Sequence, residues 1–218
     1  VNTLMDIGLK RLGAARENLH TPRRDNGELN EQSEKGRLIV ITGPSGVGKS
    51  SIVSEVRRRC GAVFSVSATT RKPRPGERDG KDYLFIDRAT FRTMVEAGEM
   101  LEWAEVFGEC YGTPVQPVRQ ALAGGKKIIL EIDVQGARQI ARKAPDTTFI
   151  LIAPPSIETL KSRLTGRGSE TTRQIEKRLG EAESELRLAG ESGIYRHKVI
   201  NDDLDAAIEQ VAAVINQE

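Results

Sequence analysis

Cysteine is nearly missing from this chain: Cys60 and Cys110 are the only two in 218 residues. Two thiols cannot build the disulfide framework of a small secreted scaffold, and no CxxC or HExxH spacing suggests a metal. Long hydrophobic runs are missing as well. No stretch approaches the roughly 18 apolar residues of a membrane-spanning helix, and no short apolar core follows the amino terminus. Also missing is a surplus of one charge sign, since 33 Lys and Arg face 31 Asp and Glu for a formal net charge of +2. That balance excludes a protein that coats a nucleic-acid polymer through bulk charge. What is present, 38% hydrophobic and 29% charged residues, is enough to bury a real core in one domain with small inserts. The expectation is a cytoplasmic protein with no membrane partner.

The charge is unevenly spread. Residues 67–81 carry five basic and two acidic side chains, and residues 161–178 carry six and two. These segments hold +3 and +4, which leaves −5 for the remainder of a chain whose total is +2. Concentrated positive charge on a neutral protein suits a pocket for a compact polyanion, although solvated surface faces would give the same count. Residues 1–36 hold six basic and six acidic side chains and little apolar surface beyond Leu4, Ile7, Leu9 and Leu12. Such a segment cannot offset its ordering entropy, so a disordered N-terminal extension is expected.

From Gly36 onward, strands alternate with helices. Buried-type strands are expected over 38–42 (LIVIT), 128–133 and 148–152, with further strands over 83–86, 100–107 and 198–200. Helices are expected over 50–60, from Asp87 to Gly98, from Thr113-Pro114 to Leu122, over 135–143, 156–164 and 171–189, and from Leu204 to the end. The pattern predicts an α/β fold with a parallel core sheet.

GPSGVGKS over 43–50 satisfies G-x-x-x-x-G-K-[ST] at every fixed position, between a buried strand and a helix. Glycines let backbone N–H groups close around phosphate oxygens, and the helix adds its unpaired N–H groups and positive dipole end. Lys49 supplies a mobile charge for the β- and γ-phosphates, and the Ser50 hydroxyl can ligate Mg²⁺. A phosphate loop fixes only a nucleoside triphosphate site. No Asn-Lys-x-Asp motif supports a GTPase, and the chain is short for a motor, which leaves a small phosphotransferase.

The acceptor must be read elsewhere. In SVSATTRKPRPGE over 65–77, Pro73 and Pro75 stiffen the loop that carries Arg71 and Arg74. Two guanidinium forks there can grip one phosphate, with a tyrosine hydroxyl as a third donor. At this point the chain resembles guanylate kinase over about 37–217. Nine blocks carry the resemblance in family order: 43–50, 65–77, GKDY over 80–83, EWA over 102–104, YGT over 111–113, IDVQG over 132–136, APPS over 153–156, GRG over 166–168 and NDDL over 201–204.

The resemblance implies a three-layer phosphate-loop sandwich with a small GMP-binding subdomain (about 67–126) and a helical lid (about 161–189). The core would comprise 37–66, 127–160 and 190–218. It implies that ATP is held by Gly43, Ser45, Gly46, Val47, Gly48, Lys49, Ser50 and Ser51, with Asn201 and Asp202 on the adenine side. Arg71, Arg74, Tyr83 and Tyr111 would hold the GMP phosphate, while Ser67, Glu102, Thr113 and Asp133 face guanine. Asp133 could instead orient water around Mg²⁺, or be purely structural. Lys49, Arg71 and the lid residues Arg163, Arg167 and Arg178 would neutralise the transferring group. Trp103 is expected in the core beside Glu102, and Cys110 in packing. Expected partners are ATP and GMP, with a homo-oligomer left open. The rival readings are a guanylate-kinase-like binding module that has lost catalysis, and a kinase for another monophosphate. Intact Lys49 and Ser50 oppose the first, and Glu102 and Ser67 oppose the second.

Overall fold

The computed structural model describes residues 35–106, 108–166 and 171–217. The expected extension 1–36 lies outside them apart from its last two residues, and so does Arg167. β1 (Arg37–Thr42) leads through the glycine loop into α1 (Lys49–Cys60), followed by the short strands β2 (Val63–Phe64), β3 (Ala68–Thr69) and β4 (Leu84–Phe85). Next come α2 (Arg88–Glu96), β5 (Met100–Val106), β6 (Glu109–Pro114) and α3 (Val115–Ala123). The second half comprises β7 (Lys127–Glu131), α4 (Val134–Lys143), β8 (Thr148–Ala153), α5 (Ile157–Thr165), α6 (Thr172–Ser192), β9 (His197–Ile200) and α7 (Leu204–Gln217).

Five strands form a sheet in the order β2-β7-β1-β8-β9, and every pairing is parallel. Along β1, Ile39 and Ile41 face one side with Ile52 and Val56 of α1 and Ile208, Val211 and Ile215 of α7. Leu38 and Val40 face the other with Val118 of α3 and Ala137 and Ile140 of α4. Helices on both faces explain why the strand residues read as continuous apolar runs rather than alternating ones. This is the expected α/β architecture with a parallel core.

A second, mixed sheet runs β4-β3-β6-β5, with β3 parallel to β4 and antiparallel to β6, and β5 antiparallel to β6. Phe91 of α2 packs beneath it with Ala68, Met100 and Cys110. Here the sequence expectations need correction. Thr113 and Pro114 also end β6, a strand not expected, before the expected helix follows: Pro114 is the N-cap of α3, which begins at Val115. The strand expected over 128–133 stops at Glu131, because Asp133 turns the chain and caps α4. Trp103 is not in the core. Its neighbours Glu102 and Ala104 point inward on β5, and the alternation leaves its ring 42% exposed. No helix among the described residues is long and apolar enough to cross a membrane.

Ile150 is fully buried in β8, between β1 and β9 and within the α1/α7 layer of the core. Ile150→Ala should lower unfolding free energy by about 3 kcal/mol, measured as a lower urea midpoint at unchanged slope.

Candidate active site

The loop between β1 and α1 is shaped by backbone that side chains would not tolerate. Gly48 stands at the N-cap of α1 with φ 97° and offers no side-chain cap, so the first N–H groups of the helix stay open to an anion. A Cβ on Gly48 would strike the Asn201 carboxamide, whose Nδ2 donates to Val47 O at 2.7 Å and holds the loop from behind. Asn201 is buried, and its Oδ1 has no hydrogen-bond partner among the described residues. Lys49 Nζ donates to Gly43 O and, at 3.0 Å, to Pro44 O. Burial lowers its pKa, while Glu131, Glu185 and Asp133 act in the opposite direction. The Ser50 hydroxyl donates to Glu131 Oε1 at 2.9 Å.

The basic loop after β3 forms a second cluster. Arg71 pairs with Glu77 at 2.8 Å, and its guanidinium lies 5.4 Å from the Tyr83 ring centroid. Glu77 raises the Arg71 pKa and Tyr111 adds to the rise; the Tyr111 ring meets Tyr83 edge-on at 6.1 Å. Glu77 accepts the Arg74 N–H as well at 2.7 Å, which ties both ends of the proline-stiffened turn to one carboxylate. The structure therefore gathers Arg71, Tyr83 and Tyr111, and leaves Arg74 exposed beside them.

Glu102 and Thr113 are register partners on β5 and β6, and both are buried. Thr113 Oγ1 donates to Glu102 Oε1 at 2.6 Å. Burial pushes the Glu102 carboxyl up to about 7, and Asp133 adds to the rise; the Thr113 bond and Lys143 oppose it. Asp133 accepts from Gly136 N at 2.8 Å as the cap of α4, and burial raises its pKa too. A Cβ on Gly136 would collide with the Glu102 carboxylate. Both acids therefore sit at the first turn of α4. Ser67 adjoins β3, and its carbonyl accepts from Leu84 N at 2.9 Å.

From the expected lid, Arg178 Nη2 donates to Ser45 Oγ of the loop at 2.8 Å, and Arg163 Nη2 to Asp202 O at 3.2 Å. Gly46, Gly48, Ser51, Arg163, Asn201 and Asp202 line a cavity of about 300 Å³, which is where the adenine side was expected. Several site residues were not foreseen. Glu131, the partner of Ser50, is the last residue of an apolar strand, a position that could have flagged it. Glu185 lies seven residues after Arg178, on the same face of α6, and is pushed up to about 7 by burial despite nearby Lys49. Glu77 belonged to a quoted motif, but its pairing with Arg71 was not read from it.

Glu102 has an ordinary value of 4.5, and its folded value is about 7. Between those limits the folded chain keeps a proton that the unfolded chain has lost, so stability falls as pH rises through that window and then levels off. Glu102→Gln can keep the Thr113 partner without the charge. It should be more stable than wild type by about 2 kcal/mol at pH 8, with the gap closing toward pH 4.5, as read by urea unfolding.

Comparison with known proteins accords with this geometry. A family model described as guanylate kinase matches residues 35–218. The guanylate kinase of Nocardia farcinica is 49% identical over 187 residues, covering 84% of this chain and 95% of that protein. That of Synechocystis is 48% identical over 189 residues, covering 86% and 97%. The crystal structure of guanylate kinase from Anaplasma phagocytophilum matches with a TM-score of 0.67 at 30% identity, over 84% of this chain and 86% of that one. With a family match that spans both sheets and every cluster described above, the chain belongs to the guanylate kinase family.

Proposed function

We propose that this chain transfers the γ-phosphoryl group of ATP to GMP, giving ADP and GDP, in purine nucleotide metabolism and GMP recycling. The observation that carries the choice of acceptor is Glu102, a buried carboxylate bonded to Thr113 at the head of α4. Guanine offers N1–H and N2–H₂ as adjacent donors to such a carboxylate. Adenine has no donor at N1 and would leave the buried charge unpaired, which supports strong base selection. Arg71, Arg74, Tyr83 and Tyr111 then receive the GMP phosphate, and Ser67, Thr113 and Asp133 complete the base site.

A phosphate oxygen of GMP attacks Pγ; that O–P bond forms as the bond from Pγ to the β,γ-bridging oxygen breaks, and ADP leaves. No protein nucleophile is required. The chain positions two anions and neutralises them. Lys49 exchanges the carbonyls of Gly43 and Pro44 for phosphate oxygens. Arg163 and Arg178, which already reach Asp202 and Ser45, neutralise the transferring group together with Arg167 of the lid (about 161–189), and closure over the nucleotides excludes water that would waste ATP. The donors fit Mg²⁺, because Ser50, its partner Glu131 and Asp133 are all oxygen groups. Bound with ATP, the ion offsets phosphate charge; Ser50 would hold it directly and Asp133 through water. A cytoplasmic setting completes the proposal.

A coupled assay of ADP formation, with GMP, AMP, CMP, UMP and dTMP offered separately, tests this reading. GMP should be preferred. No turnover with any acceptor, alongside retained GMP binding, would instead identify a binding module. Lys49→Ala should reduce kcat at least about a hundredfold while GMP binding persists in titration calorimetry. Glu102→Ala should raise the KM for GMP about thirtyfold and erode base preference; unchanged selectivity would remove Glu102 from the site.

A further inference from the structure

One stripe of α4 faces β5 over three successive turns. Gly136, Gln139 and Lys143 follow at intervals of three and four residues, which places them in line along the helix. Gly136 lies against the Glu102 carboxylate. Gln139 takes both main-chain groups of Trp103: its Nε2 donates to Trp103 O at 2.6 Å, and its Oε1 accepts from Trp103 N at 3.3 Å. Lys143 Nζ donates to Leu101 O at 2.5 Å. The backbone groups on either side of Glu102 are therefore bound by helix side chains, as a neighbouring strand would bind them.

β5 is an edge strand, and its other side already pairs with β6 from Met100↔Pro114 to Val106↔Glu109. The clamp does not serve to bury Trp103, whose ring is 42% exposed. The register of β5 is irregular between Met100 and Glu102, where Lys143 binds Leu101, and it is regular again at Trp103, the partner of Gln139. Such an irregularity re-aims a side chain and loosens the ladder that would otherwise fix it. β6 holds Glu102 from one side through Thr113, and the bonds from α4 hold the residues before and after it from the other.

We propose that Gln139 is a positioning residue for acceptor specificity: with Lys143 it pins the β5 backbone on either side of Glu102 to α4 so that Glu102 meets both donors of guanine. The proposal rests on Glu102 being the guanine contact. Gln139 touches no substrate and acts through Glu102 alone.

The test is steady-state kinetics of the full chain with ATP, comparing GMP with IMP, which lacks the 2-amino group. Gln139→Ala should raise the KM for GMP about tenfold, leave the KM for ATP within about twofold, and shrink the preference for GMP over IMP. Gln139→Glu keeps the acceptor for Trp103 N but loses the donor, so it should fall between the two; it also serves if the alanine variant melts early. In a Glu102→Ala background, Gln139→Ala should change the KM for GMP by less than about twofold. Effects that simply multiply would overturn the proposal. So would a wild-type KM for GMP and a wild-type GMP-to-IMP ratio in both Gln139 variants, with Glu102→Ala impaired as expected. Unchanged acceptor selectivity in Glu102→Ala would strike the reading of Glu102 itself, and this inference with it.

Discussion

The open first turn of α1 is the constraint on which the remaining architecture depends. A helix start with no side-chain cap is costly unless something else meets its N–H groups, and here Gly48 holds the left-handed conformation that keeps them free. The loop in turn needs support from distant parts of the chain. Leu164 of α5 packs on Gly46, Arg178 of α6 binds Ser45, and Asn201, just after β9, grips Val47. The parallel sheet brings these elements to one edge, where its strands end and ligands of α/β proteins bind.

Around that loop the protein balances charge by separating it. Lys49 is drawn toward Glu131, Asp133 and Glu185, although burial disfavours its charge. Arg71 is opposed by Glu77, and Glu102 is bonded to Thr113. The small net charge of +2 thus conceals close pairs of opposite sign such as Arg71 and Glu77. Glu102 differs from the others in that its bonded partner, Thr113, is neutral.

The core sheet was legible because β1, β7 and β8 are buried on both faces and spell it out in Ile, Val and Leu. The loop was legible because its chemistry is local in sequence. The strands β2 and β3 are two residues each, too short for any period to register. β6 reads Glu-Cys-Tyr-Gly-Thr-Pro, with Gly112 and Pro114 where strand formers were sought, and Pro114 announced the helix that follows rather than the strand it ends. The quoted motifs marked most of the candidate site. Glu131, Glu185 and Gln139 escaped because each acts through a partner far away in the chain: Ser50, Lys49 and Trp103.

The bonds from α4 to β5 have a consequence beyond catalysis. An edge strand with free N–H and C=O groups is a template on which a second chain can polymerise. At Leu101 and Trp103 those outward groups are already taken by Lys143 and Gln139, and the opposite edge, β4, is only two residues long. Both borders of the small sheet are thus poor seeds for aggregation. The side chains that fasten β5 to α4 also occupy the edge on which a second chain would have to pair.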